Sequence, residues 1–174
     1  MIKVIVIALI VVIAAVVVLA STRPNSFRVE RSLRINAPPE KILPLINDFH
    51  QWGVWSPYEK LDPAMQRTYA GAASGRGAIY EWDGSGKAGK GRMEIVDALP
   101  ARTLIKLDFF RPFTAQNMAA FTARPEGDAT RLTWSMDGPA PFVTRLMGLF
   151  CNMDKLIGAD FETGLVNLKA AAER

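Results

Sequence analysis

The sequence predicts an α+β domain in which a seven-stranded antiparallel sheet curves around a long carboxy-terminal helix, with one apolar helix ahead of it. Three observations carry this reading. Residues 27–35 and 66–136 alternate apolar and polar side chains at period two between Gly, Pro and Asp-Gly signals. Residues 153–168 repeat apolar side chains at intervals of three and four. Val4–Ala20 is an unbroken run of seventeen apolar residues.

That first run would span ~25 Å as a helix, enough to cross a bilayer. Residues 1–22 are read as a transmembrane anchor, 23–26 as a linker and 27–174 as the domain. A cleavable signal peptide is the competing reading, because Val18-Leu19-Ala20 offers a cleavage site before Ser21. Against it, the run exceeds the ~7–15 residues of a signal core, and Lys3 is the only basic side chain ahead of it. Arg23, Arg28, Arg31 and Arg34 follow the span, so the positive-inside rule leans toward a single-pass protein with a cytoplasmic domain.

"FRVERSLRI" is a half-buried strand with Val29, Leu33 and Ile35 sharing a face with Arg31. "NAPPEKILPLINDF" carries a helix start, with Asn36 as cap and prolines in the first turn; Ile42, Leu45, Ile46 and Phe49 line one side, and Pro44 bends or limits it. "NDFHQWGVWSPYEKLDP" is an aromatic-rich folded loop, since Gly53, Ser56 and Pro57 interrupt a continuous helix. Six strands follow. Ala78, Tyr80 and Trp82 share a face, as do Gly91, Met93 and Ile95, then Ile105, Leu107 and Phe109, then Leu132, Trp134 and Met136; charged residues alternate with them, so the sheet has one wet face. A short helix in "PFVTRLMGLF" leads to the final helix, where Met153, Leu156, Ile157, Phe161, Leu165 and Leu168 form the apolar side and Gly158 and Gly164 allow close packing or a gap.

The element order, with "VERSLRINAPPEKI", "FHQWGVWSPYEKLDP", "YEWDG", "LTWSMDG" and "NMDKLIGADFETGLVNLK", resembles the SRPBCC (START-like, helix-grip) superfamily. The resemblance is to its bacterial polyketide cyclase/dehydrase-type branch with an amino-terminal membrane segment. It implies a cavity between the curved sheet and the final helix, and members that bind lipids, sterols or polyketides, or act as enzymes. The partner so implied is a hydrophobic small molecule or lipid. On this picture the candidate ligand-binding residues are Trp55, Tyr58, Tyr80, Trp82, Met93, Leu107, Phe109, Met118, Trp134, Met153 and Ile157, with Ala120 a small wall position. Met153, Ile157 and Phe161 are expected to face Trp134, Leu107 and Tyr80.

The same rings and methionines also suit an ordinary core, which would make the domain an interaction domain without ligand. Their buried polar atoms and adaptable thioethers are what an apolar pocket needs. Catalysis in that pocket would call on Tyr58, Tyr80, His50 or Glu59 for proton transfer. Yet His50, the only histidine, sits where an imidazole serves nearby backbone, and Glu59 and Asp62 read as turn charges. Cys151 lacks a neighbouring base in sequence and fits a small buried hydrophobe; a lone cysteine excludes an intrachain disulfide. No metal-ligand spacing or cofactor motif occurs: "DGSGKAGKG" lacks the phosphate-loop spacing and reads as a hairpin connection with Lys87 and Lys90 in solvent. The net charge of +4 comes from scattered Lys and Arg, which argues against nucleic-acid binding.

Overall fold

Seven strands form one antiparallel sheet in the order β1-β7-β6-β5-β4-β3-β2. They are β1 (Ser26–Ile35), β2 (Gln66–Gly71), β3 (Ala78–Asp83), β4 (Lys90–Leu99), β5 (Arg102–Arg111), β6 (Ala115–Glu126) and β7 (Ala129–Pro139). The helices are α1 (Ile2–Ser21), α2 (Pro39–Asn47), α3 (Trp52–Trp55), α4 (Phe142–Met147) and α5 (Met153–Ala172). The computed structural model describes residues 1–150 and 152–174, with Met153 described by its backbone alone. The expectations for Cys151 and for the Met153 side chain lie outside the described residues.

Strands β2 to β7 form a meander of hairpins, and β1 returns to pair with β7 along its whole length, from Ser26 opposite Pro139 to Ile35 opposite Thr130. A bulge between Ile95 and Asp97 bends β4 against β5, which adds local twist. One face of the sheet is covered by α5, α2 and α3; the other carries charge pairs such as Arg92 with Glu94 and Lys106 with Asp108.

α5 packs on β1 and β7 and buries Phe161, Leu165, Leu168 and Ala172. Its two glycines have separate tasks. A Cβ at Gly158 would occupy the place of the Arg31 guanidinium, and one at Gly164 would run into the Trp134 ring. Arg31 thus crosses under the helix to reach Asp154 at 3.0 Å and Glu162 at 2.7 Å. Leu156, assigned by spacing to the apolar side, is instead exposed, because the buried stripe at this end narrows to Ile157 and Gly158.

α2 differs from expectation at its start. Pro38 precedes its first turn, and Asn36 makes no cap: its side chain accepts from Arg34 and its backbone N–H is bound by Glu173. Pro44 lies inside the helix without ending it. The aromatic segment is a chain of single turns, a 3₁₀ turn at Phe49–Gln51, α3, and a second 3₁₀ turn at Pro57–Lys60, with the break at Ser56-Pro57. α1 is exposed along nearly all of its length, Ala20 being buried where α4 packs against its last turns. It is long and apolar enough to cross a membrane.

Candidate functional site

The strand register brings the predicted inner face together. Tyr80, Met93 and Leu107 are cross-strand neighbours, as are Trp82, Gly91 and Phe109. On β6, Phe121 lies opposite Trp134 and Ala119 opposite Met136, so Asn117, Ala119 and Phe121 point inward. Met118 therefore points outward, its neighbours being Lys106 and Asp137, and the expectation that it lines an interior wall is corrected. Ala120 shares that outer parity, so a bulky residue there does not probe the interior.

The centre of this interior is packed with rings. Trp134 is stacked on Phe161 at 4.0 Å and on Phe121 at 4.9 Å, with Trp55 against it at 5.6 Å. The aromatic turns are fastened from both sides. The indole N–H groups of Trp52 and Trp55 donate to the carbonyls of Ile46 and Leu45, which the end of α2 leaves without helical partners. Asn167 of α5 donates to the Trp55 carbonyl. Trp55 and Trp134 are thus held inside a close-packed layer. Phe161 faces Trp134 as the spacing predicts, whereas Tyr80 lies under Phe49 at 5.8 Å, not under α5.

A polar cluster borders that layer. Glu59 accepts from the Tyr80 hydroxyl at 2.6 Å and from Arg67 Nε at 2.6 Å, while Arg67 also donates to the Glu59 and Met65 carbonyls. Burial and the Glu59 hydrogen bond push the Tyr80 hydroxyl well above its ordinary pKa, and the same carboxylate raises that of Arg67. Burial, with the Asp160 carboxylate beside it, likewise raises Tyr58. Both phenols are therefore neutral donors at physiological pH. Glu59 is no surface charge: it is nearly buried, and its oxygens are occupied by Arg67 and Tyr80. Asp62 has a tying role too, accepting from the backbone and hydroxyl of Ser85 in the β3–β4 hairpin.

His50 lies outside the interior. Its exposed ring stacks on Tyr69 at 4.0 Å and meets Asp48 through Nδ1 at 2.9 Å. Burial works against ionisation of Asp48, but hydrogen bonds from the His50 backbone and ring prevail and lower its pKa. The nearby hollow of about 430 Å3, lined by Pro44, Asp48, Gln51 and Gly75, opens on the surface and not between sheet and helix.

Beyond the ring layer, toward the start of α5, the inner face changes character. Trp82, Leu107, Phe109, Tyr58 and Ile157 are only half-buried. Trp82 lies flat over Gly91, where any Cβ would collide with its ring, and Phe109 meets it edge-on at 5.8 Å. Two buried polar atoms on this face, Asn117 Oδ1 and Trp134 Nε1, have no protein partner among the described residues. An apolar strip edged by unsatisfied polar atoms suits a mostly hydrophobic molecule with a polar group. Sequence reasoning missed Asn117, Arg67 and Asp160. Period two on "QRTYAG" was the available signal for Arg67. Among the described residues no group of His, Cys, Asp and Glu is arranged to hold a metal ion.

Residues 26–173 match the family described as polyketide cyclase/dehydrase and lipid transport. No curated protein matches the sequence. Protein CV1439 from Chromobacterium violaceum has a similar structure, with a TM-score of 0.60 at 16% identity over 87% of this chain and 99% of that one. The di-domain ARO/CYC StfQ from the steffimycin biosynthetic pathway superposes with a TM-score of 0.66 at 12% identity; 85% of this chain covers 51% of it, about half its length. TTHA0849 from Thermus thermophilus gives 0.56 at 20% identity over 84% and 97%. These likenesses share the curved sheet and the gripping final helix described above. With the family match extending from the first residue of β1 to the end of α5, the chain belongs to the polyketide cyclase/dehydrase and lipid transport family of the helix-grip (SRPBCC) superfamily.

Proposed function

We propose that this protein is a membrane-tethered carrier that holds a lipid or other hydrophobic small molecule between the sheet and the first half of α5. Residues 1–22 are its anchor, 23–26 a short linker and 27–174 the binding domain. The observation that carries the reading is the half-buried strip of Trp82, Leu107, Phe109 and Ile157, with Asn117 Oδ1 left unpaired on the same face among the described residues. Half-covered rings are costly in water, and an amide oxygen buried without a partner is costly because it has lost its water; a ligand with an apolar body and one hydrogen-bond donor relieves both.

A cyclase or other enzyme in the same interior has less support. Glu59 is occupied by Arg67 and Tyr80, Tyr58 is directed to Asp160, and His50 is outside, so no free base among the described residues faces the strip. The charge difference across α1 is small. Arg28, Arg31 and Arg34 pair with carboxylates of the domain, leaving Arg23 and Arg145 at one end of α1 against Lys3 and the amino terminus at the other.

Native mass spectrometry of the full chain extracted in mild detergent tests the carrier reading. The expected result is a bound small molecule that Leu107→Asp strips and His50→Ala retains. If no mass copurifies, and fatty acids, phospholipids, sterols and aromatic polyketides all leave the melting temperature unmoved, the half-buried strip is a plain margin of the core and the proposal fails.

A further inference from the structure

We infer that the pole of the domain next to α1 is a membrane-contacting face, seated in the headgroup layer of the bilayer that α1 crosses. The inference rests on the tether reading given above and adds where the domain sits once tethered. Only residues 22–25 separate α1 from β1, a length of at most ~14 Å, so the domain cannot stand far from the bilayer surface. The junction is also braced: α4 packs on the end of α1, and Arg145 points its guanidinium at the carbonyls of Ser21 and Arg23, where a cation complements a helix end.

The topology then assembles the rest of this pole. β1 begins here and β7 ends here, with Ala140 N–H bonded to the Asn25 carbonyl. The β5–β6 turn, residues 112–114, comes to the same end, because Phe109 pairs with Ala115 and Met118 with Asp137. These pieces carry large apolar side chains that nothing among the described residues covers. Phe113 is 70% exposed, Val143 62% and Phe150 76%, and Met147 continues the α4 stripe at the three-to-four spacing of one helix side. The opposite pole, at the β6–β7 turn, presents Glu126, Gly127 and Asp128 instead.

The occupant is fixed by what surrounds these side chains. Arg23 and Arg145 line a hollow of about 470 Å3 among them, together with Phe27 and Phe150. Exposed rings beside arginines, at the foot of an apolar helix, match the boundary between acyl chains and anionic headgroups. The half-buried strip of Trp82 and Phe109 lies toward this same end of the sheet, since Lys90 pairs with Arg111 there. A hydrophobic molecule would then pass between bilayer and interior without crossing water.

The test uses the full chain with Cys151→Ser, reconstituted in vesicles of phosphatidylcholine with phosphatidylglycerol. Single cysteines replace Val11, Phe113, Val143 or Asp128 and carry a nitroxide whose collisions with oxygen and with a soluble nickel chelate are measured. Val11, Phe113 and Val143 are expected to lose nickel collisions and gain oxygen collisions, while Asp128 stays open to nickel. If Val11 is protected but Phe113 and Val143 match Asp128, the tether stands and the membrane-contacting face is refuted. If Val11 itself is open to nickel, α1 is not in the bilayer, and the tether and the face fail together.

Discussion

Replacing Gly164 by alanine tests the ring layer directly. In an exposed helix the change would stabilise α5 by ~1 kcal/mol, because glycine has the greater freedom to lose. Here the added Cβ lies 2.7 Å from Trp134 Cζ3 and 3.2 Å from Pro57 Cδ. Trp134 cannot retreat, held by Phe161 at 4.0 Å on one side and Phe121 at 4.9 Å on another. Overpacking of this kind costs ~1–3 kcal/mol, so the net effect is a loss of up to ~2 kcal/mol. At roughly 2–4 °C per kcal/mol for a chain of this size, the melting temperature falls by up to ~8 °C.

Gly158→Ala supplies the control on the same helix. Its Cβ meets the guanidinium of Arg31, the far end of a long side chain that can swing aside. The ion pairs lost have partners, Asp154 and Glu162, that are more than half exposed and so worth ~0.2–1 kcal/mol each. That roughly cancels the propensity gain, and stability should stay within ~1 kcal/mol of the parent. Thermal unfolding in detergent, followed by tryptophan fluorescence and circular dichroism, reads both variants. A Gly164→Ala protein more stable than the parent by the full ~1 kcal/mol helix gain would mean that the space around Trp134 is open, and the close-packed layer would be wrong.

Three other outcomes follow from the same contacts. Glu59→Ala leaves the largely buried Arg67 without its carboxylate and should cost on the order of 3 kcal/mol, measured by chemical denaturation, while Glu59→Gln recovers part of it by still accepting from Tyr80. Because the folded pKa values of Tyr58 and Tyr80 are raised, their stabilisation is complete below ~10 and is lost as pH climbs past it; in a spectrophotometric titration neither phenolate should form until the chain unfolds in alkali. Arg31 holds Asp154 below its ordinary pKa, so that contribution is complete above ~4 and fades as pH falls further; an Arg31→Met variant should show a shallower acid limb in melting temperature against pH.

Features that depend on local period are legible in the chain without its fold. The face sets on β3, β4, β5 and β7, the buried side of α5 around Phe161 and Leu165, and the uniform apolarity of α1 are of this kind, because neighbours along the chain fix which side chains share a side. Parity on β6 was not legible: Asn117, Ala119 and Phe121 alternate with Met118 and Ala120, both sets carry apolar residues, and only pairing with Trp134 and Met136 selects one. Capping at Asn36 failed for a related reason, since Arg34 and Glu173, one of them 137 residues away, occupy its groups. The interior's division into a filled ring layer and a half-covered strip is set by long-range packing. Rings in a solid core and rings around a ligand obey the same composition and the same period, and they differ only in the distances to side chains brought from elsewhere in the chain.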